Sequence, residues 1–183
     1  MLGNLTPEIQ MKVIRQMKKR PKLVALDTMN FWMDTAMDSL LEVLKEVDLL
    51  SINDEEARQL SGEYSLVLAA DKILEMGPKY LVIKKGEHGA LLIGENRMFF
   101  APALPLALVK DPTGAGDTFA GGLMGYMDKA QEVNFDTLKS AMIYGSAMAS
   151  FCVEDFSLNK LKTLDEAQVN ERREAFKSLT QFK

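Results

Sequence analysis

The chain has 183 residues, 47% hydrophobic and 26% charged, with 22 basic against 26 acidic side chains and a formal charge of −4. This fits one sizeable soluble core burying about 70% of the unfolded surface, and gives no electrostatic case for nucleic acid or an anionic membrane as partner. The single cysteine, Cys152, excludes an internal disulfide and suits a reducing cytoplasm, and a lone histidine, His88, argues against a structural zinc site.

In chain order, Thr6-Pro7-Glu8 reads as a helix start: a capping hydroxyl, a proline where no N–H is needed, then an acid. The helix is expected to run to about Arg20, with Lys18, Lys19 and Arg20 as its solvated basic end and Pro21 as its stop. Lys22 to Asp27 reads as a buried strand, followed by a loop carrying Asn30, Phe31 and Trp32. A helix from about Asp34 to Glu46 leads into a short strand, Asp48 to Ser51. Asn53 to Leu60 is expected to be a helix ended by Gly62, and Leu66 to Met76 another, stopped by Gly77-Pro78. Tyr80 to Lys84 is an apolar strand. Such alternation implies a mostly parallel sheet flanked by helices, a three-layer α/β arrangement.

The pattern changes after Lys84. Ala90 to Ile93 and Arg97 to Ala101 read as a hairpin about Gly94-Glu95-Asn96. Two long helices follow, roughly Gly116 to Lys129 and Asp136 to Val153. The second holds Ala141, Gly145, Ser146, Ala147, Ala149 and Ser150, small enough for close approach of a neighbour. No apolar run reaches membrane-spanning length, Met1 to Asn4 begins no signal peptide, and neither repeat nor linker divides the chain. One α/β domain over residues 1–183 is the expectation.

The chemistry concentrates in Asp111-Pro112-Thr113-Gly114-Ala115-Gly116-Asp117-Thr118-Phe119, a glycine-rich turn opening a helix. Gly114 and Gly116 permit positive φ and close approach of a ligand. The first helical N–H groups lack partners and sit at the positive end of the macrodipole, which favours an anion, phosphate above all. A carboxylate at Asp117 would repel phosphate, unless it takes a proton from an attacking hydroxyl while the amides hold the transferring phosphoryl group. The alternative is an ordinary capped turn. A P-loop is excluded because Gly116 is followed by Asp117, and a dinucleotide fingerprint because Phe119 stands where its third glycine would be. Asp27, Asn53, Lys84 to Gly86 and Gly114 to Asp117 each fall at or just after an expected strand end, the last following apolar Leu106 to Val109. That is the edge where open α/β sheets bind ligands. Asn53 and Glu56 share a helical face, suiting either magnesium and phosphate positioning or a plain capping box.

Asp-Pro-Thr-Gly-Ala-Gly-Asp-Thr-Phe resembles the C-terminal signature of the ribokinase, or PfkB, family of sugar kinases. Asn53-Asp54-Glu55-Glu56 resembles its Asn-x-x-Glu motif, and Lys84 to Gly89 its nucleotide-contacting turn. The likeness runs to about Phe156. It implies an ATP- and Mg2+-dependent transfer of the γ-phosphoryl to an alcohol of a sugar or nucleoside, a sugar phosphate being a further acceptor class. Asp117 would be the base, and the Gly114, Ala115 and Gly116 amides the anion hole. Asn53 and Glu56 would organise magnesium and phosphates, with Glu56 toward the metal. Lys84, Gly86, Gly89 and Ser146 would lie on the nucleotide, Asp27 and Asn30 near the substrate, and Asp111 at a monovalent cation such as K+. Lys84 departs from the family's frequent threonine and Ser146 from its frequent asparagine. Family members also carry a section before the part seen here, supplying the first strands, a β lid and a sugar-gripping Asp. The chain is thus expected to be the nucleotide-binding and catalytic portion, lacking the N-terminal strands and lid. An unfinished sheet edge invites self-association, with a homodimer among the expected forms. The rival expectation is a non-catalytic nucleotide-binding or assembly fragment.

Overall fold

The structure, a computed structural model, describes residues 1–181. Two compact units are present, one formed by Met1–Lys85 with Leu91–Phe99, the other by Gly86–Ala90 with Phe100 onward. Helices are α1 Pro7–Gln16, α2 Asn30–Thr35, α3 Met37–Leu44, α4 Asp54–Ser61, α5 Leu66–Glu75, α6 Ala115–Ala130, α7 Phe135–Cys152 and α8 Glu166–Thr180. Strands are β1 Ala25–Asp27, β2 Leu49–Asn53, β3 Tyr80–Lys84, β4 Ala90–Gly94 and β5 Arg97–Ala101, hydrogen-bonded in sheet order β1-β2-β3-β4-β5.

In the first unit β1, β2 and β3 are parallel. Alternation along the strands sends Leu26, Leu50, Ile52, Leu81 and Ile83 to one face, where they share a core with Leu40, Val43 and Leu44 of α3, Ala57 and Leu60 of α4, and Ala70 and Ile73 of α5. Asp27, Ser51, Asn53 and Lys84 lie on the other. Asp48 stitches the strand entrances together: its carboxylate accepts the Val24 N–H at 2.8 Å, and its carbonyl accepts from Lys79 and Tyr80 at 3.0 Å.

Arg20 corrects the reading of α1. The helix stops at Gln16, because Met17 turns extended (ψ 118°). Arg20 then reaches the Glu46 carbonyl at 2.9 Å and the Asp48 carboxylate at 3.1 Å. The basic run is not the solvated end of a helix. Asn30, Phe31 and Trp32 form a helical turn rather than a loop, with Trp32 Nε1 donating to Asn4 Oδ1 at 3.2 Å and the two rings edge to face at 4.8 Å. The hairpin turns on Glu95 and Asn96, both at positive φ (53° and 55°).

The second unit is built on α6 and α7, whose close approach is set by Gly145: a Cβ there would stand 2.6 Å from the Phe119 carbonyl oxygen. Helix α8, absent from the expected elements, joins them through Arg172. Its guanidinium stacks on Phe151 at 3.8 Å and bonds Ser150 Oγ at 3.0 Å and Glu154 at 2.7 Å. Leu106 to Val109, expected to be a strand, has no regular structure, and Leu108 and Val109 are more than half exposed. An exposed apolar segment with no ladder partner gains nothing from extension.

Candidate functional site

In the first unit, the carboxyl ends of three adjacent strands bring Asp27, Asn53, Glu56 and Lys84 together. The register sets Asp27 beside Ser51 and Asn53 beside Lys84. Lys84 Nζ lies 2.8 Å from Asp27 Oδ2, each side chain about one-fifth exposed at 20%. Asn53 caps α4 in a reciprocal box: its Oδ1 accepts the Glu56 N–H at 2.7 Å, and Glu56 Oε2 accepts the Asn53 N–H at 2.7 Å. Glu56 is only 6% exposed. Burial pushes its carboxyl above the ordinary glutamate range, the Asn53 amide and the Lys84 charge pull it back, and Asp27 and Glu55 reinforce the rise. Two further hydroxyls in this unit, Thr28 Oγ1 and Ser51 Oγ, are buried without hydrogen-bond partners. Sequence reasoning passed over both. The signal for Ser51 was a lone hydroxyl inside the apolar run Leu49-Leu50-Ser51-Ile52.

Asn30 is exposed at the start of α2, and its amide nitrogen donates to Gln59 Oε1. Gln59 in turn donates to Asp34 Oδ1 at 2.7 Å, so this amide network is spent among protein groups.

The glycine-rich turn stands in the second unit. Gly114 caps α6 in the left-handed conformation (φ 81°, ψ 0°), whereas Gly116, in the first helical turn, has no positive φ. The Ala115 N–H is committed to the Pro112 carbonyl at 3.2 Å. Among the described residues the Gly116 and Asp117 N–H groups meet no backbone acceptor, so two aligned donors open the helix. Asp117 is exposed beside them. Asp111 accepts the Thr113 N–H at 2.9 Å, which holds its carboxyl below the usual range. The turn is propped from behind by the end of α7: Cys152, buried as expected for a packed thiol, donates to the Thr113 carbonyl at 3.7 Å, and the Val153 carbonyl accepts from Lys110 and Asp111 at 2.8 and 3.4 Å. Gly86 opens a 3-10 turn ending at His88. Gly89 has φ 85°, and a Cβ on it would meet the Ala101 carbonyl oxygen at 2.2 Å, so no other residue fits. Ser146 is half-buried in the middle of α7.

The donor set can be tested against magnesium, which binds through few carboxylates and completes its shell with water and phosphate. Glu56 fits that mode. It is a desolvated carboxylate with one oxygen used in the cap, and a cation beside it would offset its burial. Among the described residues no group of three or more His, Cys, Asp or Glu side chains is gathered to enclose an ion. Nor is any helix among them long and apolar enough to cross a membrane.

The architecture is that of the ribokinase-like α/β proteins. The Arabidopsis thaliana ribokinase solved with ribose and ATP superposes at a TM-score of 0.76 with 26% identity, over 94% of this chain and 54% of that one. The Salmonella enterica aminoimidazole riboside kinase, solved with its riboside and an ATP analogue, gives 0.74 with 25% identity, over 88% and 56%. The sequence matches the pfkB family carbohydrate kinases over residues 3–163, and the chain belongs to that family. It is 36% identical over 132 residues to a cytidine kinase of Thermococcus kodakarensis, covering 68% of this chain and 46% of the relative. The chain thus spans about half the length, or less, of these relatives.

Proposed function

We propose that this chain carries the nucleotide-binding and phosphoryl-transfer portion of an ATP-dependent sugar or nucleoside kinase. The observation that carries the reading is the αL-capped opening of α6, where unpartnered amides at Gly116 and Asp117 adjoin an exposed carboxylate. Family membership and the ATP-type ligands of two structural neighbours support it.

In this reading Asp117 takes the proton of the acceptor hydroxyl. Amides of the Gly114-Ala115-Gly116 turn and the helix start stabilise negative charge on the transferring group, most of the catalysis being positioning and electrostatics. Glu56, oriented by Asn53, would hold a magnesium ion through water, and such an ion, when bound, neutralises phosphate charge. Lys84, Gly86, Gly89 and Ser146 serve the nucleotide, and Asp111 holds a monovalent cation if one is used.

The test uses the 183-residue chain, measuring MgATP binding by calorimetry and ADP release with ribose or cytidine as acceptor. Asp117→Asn is expected to reduce transfer by roughly 10²–10⁴-fold while ATP affinity stays within about threefold. Wild-type rates in that variant remove Asp117 from the role of base. The chain's half-length match favours one second reading, a nucleotide-binding portion that does not turn over by itself. Tight MgATP binding by the wild-type chain with no transfer selects it.

A further inference from the structure

Lys84 ends β3 as its one residue short of full burial. Leu81 and Ile83 join the core with α3, α4 and α5, and Lys84 closes the strand on the opposite face, beyond buried Val82. Adjacent strands lie about 4.8 Å apart, so β1 and β3 are separated by roughly 10 Å with β2 between them. The lysine and aspartate side chains together bridge that gap, on the face that carries Ser51, with Nζ 2.8 Å from Asp27 Oδ2.

We propose that Asp27 and Lys84 form an exchangeable counter-ion pair, in which Asp27 holds the ammonium at the strand ends until a phosphate of the nucleotide takes it over. Asp27 is then a positioning residue acting through Lys84, and not a substrate contact. This rests on the kinase reading above.

Three observations support it. The pair is half-buried, with each side chain one-fifth exposed. Its geometry is therefore held more firmly than that of a surface pair, while the ammonium still has an open side. A single carboxylate is a weaker partner for a lysine than a polyphosphate of higher charge, so the exchange is downhill once a nucleotide arrives. Glu56, 6% exposed and within electrostatic reach of both members, adds to the demand for a cation at this edge. Finally, Ser51 lies beside Asp27 in register, on the face that carries Lys84. Its hydroxyl is buried and without a partner, and an oxyanion seated at Lys84 would offer an acceptor on that face.

The experiment compares MgATP with adenosine, which lacks phosphates, as ligands of the 183-residue chain, by calorimetry at two salt concentrations. Lys84→Met is expected to weaken MgATP about 10- to 100-fold, the usual loss for a charged hydrogen bond. It should leave adenosine within about twofold. Lys84→Arg should recover most of the loss. Asp27→Asn is expected to tighten MgATP by roughly 3- to 10-fold, because the ammonium no longer has to leave a carboxylate. That gain should vanish on the Lys84→Met background. The double variant removes both charges while keeping shape, so it also controls for folding. The proposal falls if Lys84→Met binds MgATP like wild type, if adenosine weakens equally, or if Asp27→Asn weakens MgATP as Lys84→Met does. A wild-type chain that binds neither ligand sinks the kinase reading and this proposal together. Normal binding that ignores Lys84 sinks the proposal alone.

Discussion

Replacing Gly145 by alanine tests whether α6 and α7 approach as closely as described. Alanine gains about 1 kcal/mol over glycine from helix propensity alone. Here, however, the added Cβ would lie 2.6 Å from the Phe119 carbonyl oxygen, 3.2 Å from Phe119 Cδ2 and 3.3 Å from the Leu123 nitrogen. Carbon–oxygen contacts settle near about 3.3 Å, so α7 would have to withdraw by roughly 0.7 Å. A gap of about 0.5–1 Å forfeits a quarter to a half of each dispersion contact along the seam. Because the obstacle is backbone rather than a movable side chain, overpacking wins, and we expect a net loss of about 1–3 kcal/mol. Gly125, in the interior of α6, is the control, since nothing lies within 4 Å of its Cβ position. Gly125→Ala should stabilise by about 0.5–1 kcal/mol. For a chain of this size the resulting difference of about 1.5–4 kcal/mol separates the two melting temperatures by roughly 3–16 °C. A Gly145→Ala chain melting at or above Gly125→Ala would refute the packing argument.

Glu56→Gln keeps an acceptor for the Asn53 N–H but removes the buried charge. The folded carboxyl titrates above the ordinary value of 4.5. Between that value and its raised one, the folded chain therefore holds more protons than the unfolded chain, and stability falls as pH rises. Urea midpoints across that window should show wild type losing ground to Glu56→Gln with rising pH, and parallel curves would contradict the desolvation argument. Arg172→Ala removes the stack on Phe151 and the bonds to Ser150 and Glu154. We expect a loss of about 1–3 kcal/mol, with lysine recovering little because it lacks the planar fork. Denaturant melts check this, and full recovery in Arg172→Lys would show that charge alone holds α8.

What could be read from the sequence was what is encoded locally. Thr6-Pro7 opened a helix, Asn53 and Glu56 closed a capping box, and Glu95-Asn96 turned the hairpin, because each uses partners within a few residues. Errors arose where a distant partner decided. The run to Arg20 has helical composition, yet Asp48 and the Glu46 carbonyl, far along the chain, draw the arginine away. The apolar residues Leu106 to Val109 suggest a strand, but apolarity alone makes none where no ladder is there to join. Helix α8 carries a local signal too, the Asp165–Gln168 capping box. Asp27, Asn53 and Lys84 do end β1, β2 and β3, because a parallel sheet fixes where its carboxyl edge lies. The Asp27–Lys84 pairing crosses 57 positions of sequence and could not be seen from spacing.

The Val153 carbonyl carries a consequence for exchange kinetics. Lys110 and Asp111 have no sheet to protect their amides; both donate to this one oxygen just past the end of α7. Their hydrogens should therefore trade with solvent at the rate at which that helix end frays, not at the far slower rate of the core strands. A ligand that quiets the glycine-rich turn would slow exchange at Lys110, Asp111 and the last turn of α7 in step, carrying the footprint of occupancy from the turn into the helix end behind it.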